Sequence, residues 1–109
     1  MANEFLQDEQ VRELADAMLT LSTQEEMLAF FEDIFTIHEL QAVAQRLAVA
    51  RLLRRKVTYQ EIAEQTGAST ATISRVNRCL TYGAGGYQQI LSRLDERDEA
   101  AGKGNGNKR

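Results

Sequence analysis

The sequence contains no proline. Nothing in it therefore forces a break in a helix, and helices can run wherever apolar residues recur at helical spacing. Runs of β-branched residues are also few, so an all-helical chain is the expectation. Cys79 is the only cysteine, which excludes a disulfide framework within the chain. A single cysteine and a single histidine, His38, leave no cluster suited to zinc. His38 lies beside Glu39 near a helix start, where a surface or capping role accounts for it better than general-base chemistry. The glycine-rich run at 83–86 follows no strand, so it is not a phosphate-cradling loop. Carboxylate pairs such as Asp8–Glu9 and Glu25–Glu26 read as solvated faces. No catalytic residue set and no metal site is expected, and an enzyme is not the reading. No apolar stretch approaches the length of a membrane span, and no basic segment followed by an apolar run opens the chain. The expectation is a cytoplasmic protein that makes no use of a membrane.

What is present is one domain's worth of chain: 109 residues, 43% of them hydrophobic. We expect a single helical domain over residues 1–97 and a polar, glycine-rich, disordered tail over 98–109. The net charge of −3 conceals a marked asymmetry. Residues 1–39 carry ten acidic side chains and one basic. Residues 40–80 carry seven basic side chains (Arg46, Arg51, Arg54, Arg55, Lys56, Arg75 and Arg78) against two acidic ones, Glu61 and Glu64. A basic block inside an acidic protein is expected when one face meets phosphates and the rest stays soluble.

Along the chain, residues 3–20 read as a first helix with an apolar stripe of Val11, Leu14, Ala15, Met18 and Leu21. Ser22 to Glu25 has capping-box spacing and opens a second helix through about Phe35. That helix is apolar over a wide arc (Met27, Leu28, Phe30, Phe31, Ile34, Phe35), broader than one core needs. A helix sandwiched between partners fits this arc, and in so short a chain one partner is expected to be a second subunit. Thr36 to Glu39 is another capping box and opens a long helix to about Arg54. Five bases fall in the eleven residues from Arg46 to Lys56. That is more than a helix C-terminus needs to oppose its dipole, so some of them, Arg54 and Lys56 among them, read as phosphate contacts. After Leu80 comes a flexible break, then a short helix over 86–97.

The informative stretch is 58–80. Thr58 and Glu61 form a capping box, Ile62 and Ala63 face inward, and Gly67 supplies a left-handed helix end. Ser69 caps a second helix, in which Ile73, Val76 and Leu80 recur on one side. Small Ala63 lets two helices approach, and Ile73 fills the angle between them. This is helix-turn-helix spacing, whose second helix enters the major groove of DNA. The exposed positions of that helix, Ser69, Thr70, Thr72, Ser74, Arg75, Asn77 and Arg78, are short polar residues or arginines, and none is acidic. Double-stranded DNA is therefore the expected partner.

The order of elements, with Glu39-Leu40, Ala44-Gln45-Arg46, Leu52-Leu53-Arg54, Thr58, Gln60-Glu61, Gly67-Ala68 and Ala71-Thr72-Ile73-Ser74-Arg75, resembles the Trp repressor superfamily, and its YerC/YecD group in particular. The resemblance runs from about Leu40 to Leu94. It implies about six helices in an intertwined homodimer that presents paired motifs to a palindromic operator, as a repressor of transcription. It puts the base-facing positions at Thr70, Ala71 and Ser74 and a backbone contact at Gln60. It also implies a co-repressor pocket in which two arginines sandwich an indole ring. Arg75 matches one of them. The other position falls at Gln45, with Arg46 one residue away and about 100° around the helix. The glycine that follows the second arginine in the family is Val76 here, and a pocket serine is Cys79. Arg46 and Arg75 are the candidate effector contacts. Tryptophan is not the expected ligand, and another small co-repressor, or none, stays open. A rival reading is a helical protein-interaction module whose motif docks a protein, and weak salt dependence of binding would favour it.

Overall fold

The computed structural model describes residues 4–102. They form a short 3-10 turn, Glu4–Gln7, and six helices: α1 (Glu9–Leu19), α2 (Gln24–Ile34), α3 (Ile37–Arg54), α4 (Tyr59–Thr66), α5 (Thr70–Tyr82) and α6 (Gly86–Ala100). No strand occurs among the described residues. The all-α expectation holds, and no helix is long and apolar enough to cross a membrane.

Local chemistry fixes most of the boundaries. The first helix starts at Glu9 rather than at residue 3. The Asp8 carboxylate accepts the Gln10 N–H at 2.7 Å and caps the helix there. The capping box of α2 lies one residue later than Ser22–Glu25. Thr23 accepts the Glu26 N–H at 3.1 Å, and Glu26 reaches back to the Ser22 N–H at 2.8 Å. Two hydroxyls precede two glutamates, so the spacing fits twice, and the geometry selects the second pair. The α3 box is reciprocal: Glu39 N–H donates to Thr36 Oγ1 at 3.1 Å, and Thr36 N–H donates to Glu39 at 2.9 Å.

By its contacts the chain divides into two compact units, Met1–Leu40 and Gln41–Arg109, with α3 beginning in the first. The first unit is short of burial. No residue of α1 or α2 is buried. Phe5, Leu6, Leu19, Leu28 and Ile37 are each more than half exposed. Phe31 and Phe35 pack edge to face, with ring centroids 5.6 Å apart.

The second unit holds the core: Val49 and Ala50 from α3, Ile62 from α4, Ala68 from the turn, Ile73 and Val76 from α5, and Leu91 from α6. α3 ends in a Schellman motif, with Val57 N–H donating to the Leu52 carbonyl and Lys56 N–H to the Leu53 carbonyl. Lys56 sits at the left-handed position of that motif, at φ 67°, and is the only non-glycine with positive φ among the described residues. The last helix runs to Ala100, so Asp98, Glu99 and Ala100 are helical rather than part of a disordered tail. Asp98 is held there by Arg51 at 3.0 Å. Residues 103–109 of the expected tail lie outside the described residues.

Two predictions follow from these caps. Left-handed φ costs a side chain of this kind about 1 kcal/mol, and glycine is exempt. Lys56→Gly should therefore raise the unfolding free energy by about 1 kcal/mol. Gly67→Ala, at φ 75° with open space around the new Cβ, should lower it by about as much. Urea denaturation at fixed protein concentration measures both, and equal signs would refute the strain argument. Second, hydrogen bonds from the Ser22 and then the Thr23 backbone hold the Glu26 carboxyl below its ordinary 4.5. A depressed value in the folded state means that its contribution is present above 4.5 and is lost as pH falls through the depressed value. Glu26→Ala should then be destabilised relative to the parent at neutral pH, with the difference closing on acidification.

Candidate nucleic-acid interface

α4 and α5 are placed by their two faces. On α4, Thr58 Oγ1 accepts the Glu61 N–H at 3.2 Å, and Ile62 turns into the core at 0% exposure. The helix ends at Gly67, whose N–H donates to the Ala63 carbonyl at 2.9 Å. Thr66 stitches the turn: its hydroxyl donates to the Ile62 carbonyl at 2.7 Å and accepts the Ala68 N–H at 3.1 Å. α5 then starts at Thr70 with Ser69 as its cap. Its inward face is Ile73 and Val76, both buried.

The opposite face carries the candidate readers. Ala71, Ser74, Arg75 and Arg78 stand at i, i+3, i+4 and i+7 and line one open depression of about 360 Å³. All four are exposed, as are Thr70 and Gln60. No acidic residue occurs anywhere in α5. The helix therefore presents a hydroxyl, a methyl and two guanidinium groups on one side, with no carboxylate to repel a phosphate or to pair with the arginines.

Other expected contacts are engaged within the chain. Ser69 Oγ accepts the Thr72 N–H at 3.1 Å and donates to Thr72 Oγ1 at 3.1 Å, so both hydroxyls serve the helix cap first. Arg54, read from sequence as a phosphate contact, turns instead to α6. It donates to Ser92 Oγ at 3.0 Å and to the Gln88 carbonyl at 3.4 Å, and it lies 3.8 Å from the Asp95 carboxylate. Lys56 is exposed just before the α4 cap.

The two effector candidates line two different spaces. Arg46 lines a space of about 520 Å³ with Val43, Leu47, Cys79, Tyr87 and Ile90, whereas Arg75 lines the depression on α5. Val76 is 2% exposed and packs into the core. Gln45, where the resemblance puts an arginine, donates through Nε2 to the Thr66 carbonyl at 3.1 Å and ties α3 to the turn. The sequence carried no signal for that tie, because its partners stand 21 residues apart.

Residues 9–95 match the family model for the Trp repressor protein. The chain is 50% identical over 91 residues to the uncharacterised protein YerC of Bacillus subtilis (strain 168), covering 84% of this chain and 88% of that one. Among solved structures, it is similar to a TrpR-like protein from Eubacterium eligens ATCC 27750, with a TM-score of 0.81 and 50% identity over 84% of this chain and 95% of that one. It is also similar to a candidate Trp repressor from Staphylococcus aureus, with a TM-score of 0.81 and 45% identity over 87% of this chain and 95% of that one.

The internal ties give a prediction about geometry. Partly exposed charge-assisted contacts of this kind contribute about 1 kcal/mol. Arg54→Ala should lower the unfolding free energy by about that amount and speed amide exchange in α6. Unchanged exchange in α6 would show that Arg54 does not hold that helix.

Proposed function

The chain belongs to the Trp repressor family, a family of regulators rather than enzymes, and we propose that it is a sequence-specific DNA-binding transcriptional regulator. In this reading it acts in the cytoplasm as a homodimer on a palindromic operator and represses by occluding a promoter. One observation carries the DNA reading. α5 buries Ile73 and Val76 while presenting Ala71, Ser74, Arg75 and Arg78 together on a face without acids. A helix so built can lay short side chains against base edges while its arginines meet phosphates or guanine. Thr70, Ala71 and Ser74 read bases, Arg75 and Arg78 supply charge, and Gln60 and Lys56 contact the backbone. Ser69 and Thr72 support the reading end by capping it, and Arg54 supports it by positioning α6.

The unburied apolar side chains of the first unit support the homodimer. Leu6, Leu19, Leu28 and Ile37 are each more than half exposed in one chain. Exposed apolar surface on this scale marks an interface. On this reading residues 1–97 form one helical domain that a second copy completes. The separation of Arg46 from Arg75 and the burial of Val76 speak against a tryptophan sandwich.

The test is selection of bound sequences from a random duplex pool at low and high salt, alongside sedimentation of the protein alone. An enriched palindrome bound by a dimer, with affinity falling as salt rises, is the expected outcome. Arg75→Ala and Arg78→Ala should each flatten the logarithmic salt slope of dimer binding by about 2, one phosphate contact being lost in each protomer, and Thr70→Ala should change the preferred sequence more than the affinity. A dimer that enriches no sequence at any salt would leave a co-repressor still to be supplied or a protein-docking module, and salt-insensitive binding of a protein partner would remove the DNA reading.

A further inference from the structure

A second basic site lies away from the α5 face. Ala48, Arg51, Leu52 and Arg55 form one stripe of α3 at i, i+3, i+4 and i+7. With Gln65 and Thr66 at the end of α4 they line a groove of about 280 Å³. None of these residues lines the α5 depression. The small side chain of Ala48 leaves the floor of the groove open, and the two arginines stand one helical turn apart along its wall.

The charges in the groove are not balanced. Arg51 Nη2 donates to Asp98 at 3.0 Å, but Asp98 also binds Arg97 at 2.9 Å. One carboxylate thus serves two guanidinium groups. It stays ionised because Arg97 first, and Arg51 as well, hold its carboxyl below the ordinary range. Arg55 is exposed and has no acidic partner among the described residues. In addition, Arg51 Nε is buried and has no hydrogen-bond acceptor among the described residues. An unmade hydrogen bond of a charged, buried donor is the more costly kind, and a guanidinium fork is most often completed by a planar or tetrahedral oxyanion.

We propose that the groove between Arg51, Arg55 and Gln65 is a binding site for a phosphate-type oxyanion. Asp98 orients Arg51 from one side, and a small rotation of the guanidinium plane about that contact presents its Nε–H to the groove. Arg55 closes on the anion from the next turn, and the Gln65 amide donates from α4. The anion is either a backbone phosphate of bound DNA or a free anionic ligand. The site borders Thr66, whose carbonyl receives Gln45 and whose hydroxyl caps the turn, so an occupant sits against the segment that sets the angle of α5. The free-anion arm of the proposal does not rest on the DNA reading.

Arginine Nε–H signals of the isotopically labelled full chain report on this site directly. Inorganic phosphate is titrated against sodium chloride at matched ionic strength, and a short duplex is titrated separately. The expected result is a saturable shift of the Arg51 and Arg55 signals with phosphate, weakened about tenfold in Arg55→Gln, whose exposed position leaves the fold intact. If the duplex moves the same signals, and Arg55→Gln also flattens the salt slope of duplex binding, the anion is a backbone phosphate. If only phosphate moves them, the ligand is a free anion. Either result supports the site. No saturable shift with either probe overturns it, and so does a phosphate response that Arg55→Gln leaves unchanged.

Discussion

The packing of Ile73 and Val76 against Val49, Ala50 and Ile62, with the left-handed turn at Gly67 between the two motif helices, is the constraint on which the rest of this structure depends. Burying one large aliphatic side chain stabilises by about 1.5–3 kcal/mol, whereas a typical hydrogen bond nets about 0.5–1.5 kcal/mol. The apolar contacts therefore set how firmly α5 is held. The polar ties set its angle: Gln45 to the Thr66 carbonyl on one side, and Gln88 to the Leu80 carbonyl on the other. Because a helix has only two sides to divide, fixing Ile73 and Val76 inward commits Ala71, Ser74, Arg75 and Arg78 outward. The exposed face is thus a consequence of core packing.

The bases of α3 show that a charge count does not assign roles. Five lie between Arg46 and Lys56, and the structure distributes them among different tasks. Arg54 holds α6 through Ser92, Gln88 and Asp95. Arg51 shares Asp98 with Arg97. Arg46 lines an apolar cavity, Arg55 stands in a separate groove, and Lys56 occupies a backbone position that favours glycine. The +100° step per residue sends neighbours to different faces, so a cluster in sequence becomes a ring in space.

What was legible in the sequence was local. The reciprocal Thr36–Glu39 box, the Thr58 cap, the Gly67 end and the Ser69 cap each involve residues three or four apart, and each appears where its spacing put it. The inward set Ile62, Ile73 and Val76 was legible for the same reason. Where two local solutions existed, as at Ser22 and Thr23, spacing could not choose between them. The ties of Arg54 to α6 left no trace in the sequence because its partner Ser92 lies 38 residues away. The last turn of α6 was hidden because composition made 98–109 look like a tail, while Asp98 is paired to Arg51 across 47 residues. Long-range polar pairs leave no periodic trace, and they are what decide which arginines remain free.

The first unit is where the proposed second copy would matter most. It carries ten acids against one base within residues 1–39, a balance that repels phosphate, and no residue of its helices α1 and α2 is fully buried. A chain of this length gains proportionally little from its own core, and apolar helices left open to water would favour aggregation. The proposed second copy would resolve both problems, because a two-fold assembly can cover the same apolar arc on each chain. The acidic residues 1–39 would then discourage contact of DNA with the first unit. Symmetry would present those motifs as a pair, one helical turn of DNA apart, and an operator read by them must share the two-fold. The burial that completes the fold and the spacing that selects the operator would in that case be set by the same interface.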